Sequence, residues 1–539
     1  MAQHAAFGPP GTGKTTFGIE ISRWWLTSGG LSGREIAYLA FTRQAALEAL
    51  GRAIDASPGG NEEDYPYFRT IHSLCYRGLR EASKGAKRVL TPTDMRRFSQ
   101  EVGWKANFAI CDWEDVVTRD DSVAVQTMWD KANMAYQISR ISATSIQDLE
   151  AARYRLSKSA ASSIGRLDED VYRTFVRKYE DFKDRNGLVD FTDMLEYGLV
   201  AMPPLDGVRV VVVDEAQDLA PIHYAIVDRL FRSAGEIWWI GDDDQAIYRF
   251  AGAKADLFLD RARRADRRIL LRRTHRFGDG IVGFSRKIIS RVDDRQEKDL
   301  ITDREGGTVY TTGSFRPVAG KTLVLHRHVS GCQEIAKRYM AAGIPFRNER
   351  GKDPLSAGKR IKAWKAINAL AKGEKASIHG VSALFEDVMP SVHMEEGKPP
   401  QRLVVHGGKA KIAQSTEKHV SLDEMVLHGI LTPDGASAIK ERSYEMMKHS
   451  EDLLYYQRVV DNGYSLDGEP QAVISTIHAK KGAQADHVVV FAEMSRRCWD
   501  DRDTEHRLAY VAATRTRGDL EICVERTVEW ARSRYEYPV

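Results

Sequence analysis

At 539 residues, with 42% apolar residues, 29% charged residues and a net charge of only +3, the chain has room for roughly three to four domains of about 150 residues. No run of about 18 apolar residues appears and no charged-then-apolar leader opens the chain, so neither a membrane span nor a secretory signal is expected. Five scattered cysteines (Cys75, Cys111, Cys332, Cys498, Cys523) without a C-x-x-C pair argue against a zinc site, an iron–sulfur cluster or a disulfide framework, and for a reducing compartment.

In chain order, AAF reads as the end of a strand, and GPPGTGKT (8–15) follows it with FGIEISRWWL, whose apolar spacing suits a helix. EIAYLAFT (35–42) reads as a strand and RQAALEALGRAI as the next helix; SPGGNEEDYP (57–66) breaks the pattern before FRTIHSLCYRGLR. From about 90 to 185 the sequence is rich in charge, Ala and Ser without buried-strand runs, which predicts a helical insertion. VRVVVVDEAQD (208–218) and EIWWIGDDDQ (236–245) are apolar runs ending in carboxylates, the pattern of buried parallel strands. RARRADRRILLRRTHR (261–276) holds eight arginines in sixteen positions and reads either as a solvated helix and strand edge or as a phosphate-contacting surface. Strand runs return at 322–327, 472–478 and 487–494, separated by an irregular region from about 350 to 467. Alternating strands and helices with acidic strand ends predict an open, mostly parallel α/β sheet with ligands at the strands' carboxyl ends.

Gly8–Thr15 fits the phosphate-binding loop G-x-x-x-x-G-K-[ST], a pattern expected by chance in on the order of one chain in fifty of this length. Its glycines let the loop formed by Gly8, Pro9, Pro10, Gly11, Thr12, Gly13, Lys14, Thr15 and Thr16 surround phosphate oxygens at a helix N-terminus with its backbone N–H groups, the two prolines, which lack an N–H, supplying only shape. Lys14 is expected on the β- and γ-phosphates and Thr15 on Mg²⁺. At the end of four valines, Asp214 is expected to hold the metal and Glu215 to orient the attacking water. ATP and Mg²⁺ are thus the expected cofactors.

The boxes RTIHSLC (69–75), DFTDML (190–195), DEAQD, GDDDQAIYRFAGA (241–253), STIHAKKG (475–482) and YVAATRTR (510–517) occur in an order that resembles superfamily 1 DNA helicases of the UvrD/Rep/PcrA type. The resemblance implies two RecA-like P-loop motor lobes with parallel sheets, each interrupted by a largely helical or irregular insertion. The expected bounds are 1–90 with 186–265 for the first lobe, 91–185 for a helical insertion, 266–349 with 468–539 for the second lobe, and 350–467 for an accessory insertion. It places Gln245 as the γ-phosphate sensor and Arg276 and Arg515 as two arginine fingers, all acting in hydrolysis with Lys14, Asp214 and Glu215. Phe41, Thr42, His72, Phe191, Tyr248, Phe250 and His478 match positions lining the family's single-strand track, where aromatic stacking tolerates any base.

Four departures stand out. The family's adenine-reading glutamine segment is expected to be missing ahead of the loop; His275 replaces the tyrosine that stacks on the base and is expected to stack there instead; Gln484 stands where a glutamate binds ribose and is expected to hydrogen-bond the ribose hydroxyl; and Ala251 replaces an arginine. The loop is spelled as in the 5′→3′ branch, whereas DEAQD, GDDDQAIY and ATRTR side with the 3′→5′ branch. With 24 residues after Arg515, no fused nuclease is expected behind the last box. The expectation is an ATP-dependent 3′→5′ helicase or translocase, compact as a virus- or phage-encoded enzyme would be and cytoplasmic (in the bacterial host, if phage-encoded). Single-stranded DNA and duplex junctions are its expected partners, with replication or repair proteins reached through 350–467. The rival readings are a translocase that strips proteins without unwinding, and an ATP-switched DNA-binding loader or mediator.

Overall fold

The computed structural model describes the chain except for residues 57–59, 107–126, 155, 157–164, 166, 250–251, 350–351, 390–401, 407, 414–417, 471, 530, 532 and 539. The chain divides into two compact units: Met1–Thr312 with Thr476–Val524 and Trp530–Val539, and Gly313–Ser475 with Glu525–Glu529. The first division therefore falls after Thr312, so the arginine-rich run and its following helix pack with the N-terminal part of the chain.

In the first unit, β1 (Ala2–Phe7), β2 (Ile36–Ala40), β3 (Phe68–Thr70), the short pair β4 (Arg88–Val89) and β5 (Leu188–Val189), β6 (Val210–Val213), β7 (Glu236–Gly241), β8 (Arg267–Leu270) and β9 (Val309–Thr312) follow in turn. Six of these make one sheet in the order β3-β2-β6-β7-β1-β8, with every pair parallel. The four valines of β6 are fully buried between neighbours, which suits β-branched side chains covered on both faces. Because all six strands run one way, their carboxyl ends share one edge. Register then sets Phe7 beside Gly241 and Val213 beside Trp239, so the residues just past β1, β6 and β7 converge there. The helix Lys14–Thr27 starts at Gly13, whose φ of 81° is left-handed and open to glycine without strain.

The insertion ahead of β5 is helical as the sequence suggests, with helices Pro92–Val102, Met128–Ile141, Ile146–Tyr154 and Glu169–Arg185 among its described residues. Tyr172, Phe175, Val176, Tyr179 and Phe182 recur at helical spacing and close over Phe98 and Tyr136. Beneath this core, fully buried Arg140 meets Asp190 (3.0 Å), Asp193 and Glu196 (2.5 Å), while Lys183 meets Asp190 (3.2 Å) and Asp193 (2.7 Å). Asp190 also accepts from the Asp193 backbone N–H (2.8 Å), capping the helix Phe191–Val200.

The second unit carries β10 (Thr322–His326), β11 (Phe346–Asn348), an antiparallel pair β12 (Ala376–Ser377) and β13 (His419–Val420), and β14 (Ala472–Thr476), with β11-β14-β10 adjacent in that order. The stretch that reads as irregular contains helices Gly358–Ala371, Pro433–Lys440 and Ser450–Asp461. Lysines and glycines dilute their apolar faces in sequence, but Trp364, Ile367, Tyr455 and Tyr456 are buried. Returning to the first unit, β15 (Ala485–Phe491), β16 (Glu493–Met494), β17 (Thr516–Cys523) and β18 (Ser533–Arg534) follow, and β15-β17-β9 is a parallel run. The helix Arg502–Ala513 precedes β17 and ends beside Arg515. No helix among the described residues is long and apolar enough to cross a membrane.

Candidate nucleotide site and nucleic-acid track

All the residues expected in hydrolysis lie in the first unit, at the carboxyl edge of the six-stranded sheet. The loop leaves β1 with the Gly8 N–H donating to the Gly241 carbonyl (3.1 Å), and Thr12 Oγ1 donates to the Pro9 carbonyl (2.8 Å). A side chain at Gly8 would collide with Lys14 Cγ at 2.4 Å, and one at Gly11 with Thr274 Oγ1 (2.5 Å) and Arg276 Cβ (2.6 Å). Lys14 is 8% exposed and its ammonium makes no hydrogen bond or ion pair among the described residues, although its charge acts on Asp214, Glu215 and Asp242. Thr16 is exposed at the start of the helix.

Thr15 Oγ1 donates to Asp214 Oδ2 at 2.9 Å, and Tyr38 OH donates to the same oxygen at 3.0 Å. Burial, aided by the neighbouring Glu215 charge, pushes Asp214 up to about 6. Glu215 adopts a left-handed backbone (φ 52°), so its N–H turns back onto Asp214 Oδ1 (2.9 Å). Burial raises the Glu215 carboxyl, but the Lys14 and Lys481 charges outweigh it and hold the group below its ordinary range. Gln217, which the sequence reading passed over, donates from Nε2 to Glu215 (2.5 Å) and accepts the Asp242 N–H at Oε1 (2.8 Å).

Gln245 Nε2 donates to Asp242 Oδ2 (2.7 Å), and its Oε1 accepts from Arg515 (3.3 Å). Arg515 is fully buried, held by the Val511 carbonyl (2.8 Å) and Thr514 Oγ1 (3.1 Å). Arg276 donates to the Thr514 carbonyl (3.0 Å), while its Nε has no partner among the described residues. Burial lowers both guanidiniums: Arg515 to about 9, with Arg276 adding repulsion, and Arg276 to about 10, with Arg517 adding repulsion. Thr274 Oγ1 donates to the Pro10 carbonyl (2.8 Å) and the His275 N–H to the Gly11 carbonyl (2.9 Å), so the strand end carrying Arg276 is sewn onto the loop. The His275 and Gln484 side chains are both exposed.

Two lysines escaped the sequence reading. Lys481 lies in the quoted STIHAKKG box. Its ammonium contacts Asp218, donates to the Gln245 carbonyl (2.6 Å) and sits 4.8 Å over the Tyr248 ring. Burial pushes Asp218 up to about 7 even against that charge. Lys298, which no local pattern marks, meets Asp242 (3.1 Å), Asp243 (2.5 Å) and Asp244 (3.0 Å) in a cluster with almost no solvent access. Arg295 forks onto Asp244 (2.7 and 2.6 Å), and Arg507, from the Arg502–Ala513 helix, donates to the Asp243 carbonyl (2.9 Å).

The residues expected to line a single-strand track form two groups. Phe41 stacks on Tyr248 (5.9 Å, 13°), and Tyr248 OH donates to the His478 carbonyl (3.3 Å); Tyr248 and His478 are buried and Phe41 half-buried. Exposed Thr42 accepts the Ala45 N–H (3.2 Å) and caps the helix Arg43–Asp55. Half-buried His72 lies edge-on to Phe191 (6.1 Å) and to His223 (5.3 Å), and burial lowers it to about 4. Phe250 and Ala251 lie outside the described residues.

The sequence profile of the UvrD/REP helicase N-terminal domain matches residues 5–266, and that of the UvrD-like helicase C-terminal domain matches 471–523. The chain belongs to the UvrD-type superfamily 1 helicases. Its parallel α/β sheets are those of RecA-like motor lobes. It is 27% identical over 316 residues to DNA helicase II of Escherichia coli (strain K12), covering 55% of this chain and 39% of that one. It is 25% identical over 323 residues to ATP-dependent DNA helicase UvrD1 of Mycobacterium tuberculosis (strain H37Rv), covering 55% and 38%. With ATP-dependent DNA helicase PcrA of Bacillus subtilis (strain 168) the identity is 24% over 337 residues, covering 59% and 42%. These matches span well under half the length of each relative.

Proposed function

We propose that the chain is an ATP-driven DNA motor that tracks 3′→5′ along a single strand and separates duplex ahead of it. The observation that carries this reading is the pair of buried, mutually repelling guanidiniums, Arg276 and Arg515, set beside the phosphate loop in one compact unit with Lys14, Asp214, Glu215 and Gln245. Such a cationic set is relieved by a polyphosphate and suits charge developing on a transferring phosphoryl group.

Lys14 and the loop amides bind the phosphates; Glu215, kept ionised by Lys14 and Lys481, orients water and accepts its proton. Among the described residues no group of three or more His, Cys, Asp or Glu side chains is arranged to hold a metal ion. Mg²⁺, however, takes one hydroxyl or carboxylate with phosphate and water oxygens, and the Thr15–Asp214 pair fits that need. When bound there, the ion would neutralise phosphate charge. Gln245 touches both Asp242 and Arg515, so loss of the γ-phosphate is felt on both sides of it. Lys481 passes that change to Tyr248 and Phe41, the base-stacking pair. The names of the matched relatives, ATP-dependent DNA helicases among them, support the choice of ATP and DNA. The DEAQD, GDDDQAIY and ATRTR spellings support the direction.

Strand displacement on duplexes with a 3′ or a 5′ single-stranded tail, run with Lys14→Ala alongside, tests the proposal. Opening of the 3′-tailed duplex alone is expected. Lys14→Ala should lose about 100-fold or more of turnover while single-strand affinity holds, as when one charge-stabilising donor is removed. Preference for the 5′ tail would reverse the direction, and turnover surviving in Lys14→Ala would overturn the site.

A further inference from the structure

The run Arg261–Arg276 separates into two sets in the folded chain. Arg261 forks onto Asp228 (3.0 and 2.5 Å) and lies over Trp239 (4.5 Å) and Tyr224 (5.0 Å). Arg263 reaches Asp260 (2.9 Å) and Asp294 (3.2 Å), Arg273 pairs with Asp303, and Arg276 belongs to the nucleotide site. Arg264, Arg267, Arg268 and Arg272 are exposed and make no side-chain hydrogen bond, ion pair or ring contact among the described residues.

Three of these four lie on β8, just past its end, and at the end of the helix before it. β8 is an edge strand paired only with β1, and its alternation puts Arg268 and Leu270 on one face and Arg267 and Ile269 on the other, with Arg272 two residues past its end. Ile269, like Phe17, Ile21 and Trp25 of the helix Lys14–Thr27, packs against the core that holds its register partner Ala6, which fixes the buried face. On the opposite face, Phe7 stands in register with Leu270 and meets Phe258 of the helix Ala255–Arg264 (4.8 Å). Arg264 at that helix's end therefore belongs to the layer on the Arg268 face, and Arg272 follows that strand by two residues.

We propose that Arg264, Arg268 and Arg272 form a second nucleic-acid contact, a surface for the phosphate backbone of duplex DNA outside the hydrolytic site. Guanidiniums fork onto phosphate oxygens, and backbone contacts position a duplex without reading its sequence. The exposed strand face carries Leu270 but no aromatic ring, so it lacks the stacking platform that a single strand uses. The inference rests on the DNA-motor reading and gives that motor a hold on the duplex it opens.

The test is the affinity of the full chain for a short blunt duplex across a salt series, comparing wild type with Arg264→Gln/Arg268→Gln/Arg272→Gln and with the triple lysine variant. Single-strand-stimulated turnover is followed in parallel. At about 0.9 per phosphate contact, the slope of log K against log salt should fall by about 2.7 in the glutamine variant and recover with lysines. Stimulated turnover should stay at the wild-type level in both. An unchanged slope with normal stimulation would overturn this surface alone, leaving the arginines to shield the edge strand or to meet an acidic protein. Wild-type turnover indifferent to any DNA would instead overturn the motor reading, while a slope lost in the glutamine variant would still support the duplex contact.

Discussion

Replacing Lys481 by alanine removes a cation at 9% side-chain exposure from a carboxylate at 1%. Breaking a buried pair by deleting one partner costs about 3–5 kcal/mol. The Gln217 amide still donates to the same Asp218 oxygen (3.1 Å), which points to the low end, about 3 kcal/mol at pH 8. The loss should depend on pH with a definite sign. An unfolded aspartate titrates near 3.9, whereas burial holds folded Asp218 at about 7. A raised folded value means that stability is fully present below about pH 4 and is lost as pH climbs through about 7. Without Lys481 the folded value rises further, so the loss extends above pH 7. At pH 5 Asp218 is protonated and needs no cation; its Oδ1, which has no hydrogen-bond partner among the described residues, is free for the proton. There the deficit should shrink to about 1 kcal/mol, the contact with the Gln245 carbonyl and the Tyr248 ring. Urea unfolding of both proteins at pH 5 and pH 8 measures this. A deficit equal at the two pH values, or below 1 kcal/mol at pH 8, would refute the reasoning. Turnover should also weaken, with its acid limb moved to higher pH, because Glu215 loses one of the two charges that keep it ionised.

Other consequences are open to direct measurement. Arg515→Ala and Arg276→Ala should each lower DNA-stimulated turnover by about 10³-fold with nucleotide affinity changed far less, read by steady-state kinetics and nucleotide titration. Gly11→Ala forces a side chain into φ +78° against Thr274 and Arg276, and should cost about 1–2 kcal/mol in urea unfolding as well as most turnover. Lys298→Met leaves three buried carboxylates around an uncharged side chain and should destabilise by about 3–5 kcal/mol, seen as a lower Tm. Phe41→Ala should weaken single-strand binding by about 1–3 kcal/mol, read by titration with oligonucleotides of differing sequence, to a similar extent for each.

The sequence alone determined those features whose physics is local. A phosphate loop needs glycines at fixed spacing, a buried parallel strand needs β-branched residues, and a carboxylate at its end is visible next to them, so Gly8–Thr15, Val210–Val213, Asp214 and Glu215 could be named without coordinates. The helical insertion was legible from its missing strand runs, whereas its buried face, Tyr172, Phe175, Tyr179 and Phe182, was assigned only by the fold. Tertiary structure decided what depends on distant partners. Lys298 looks like any surface lysine in RQEKDL, and only folding brings it among three aspartates more than fifty residues earlier. Lys481 reaches Asp218 across a separation of 263 residues. The arginine run could not be sorted by composition, because pairing with Asp228, Asp294 and Asp303 is a property of neighbours in space. Charge is written in the sequence, but whether a charge is spent inside the fold or left facing solvent is settled by which element lies opposite it.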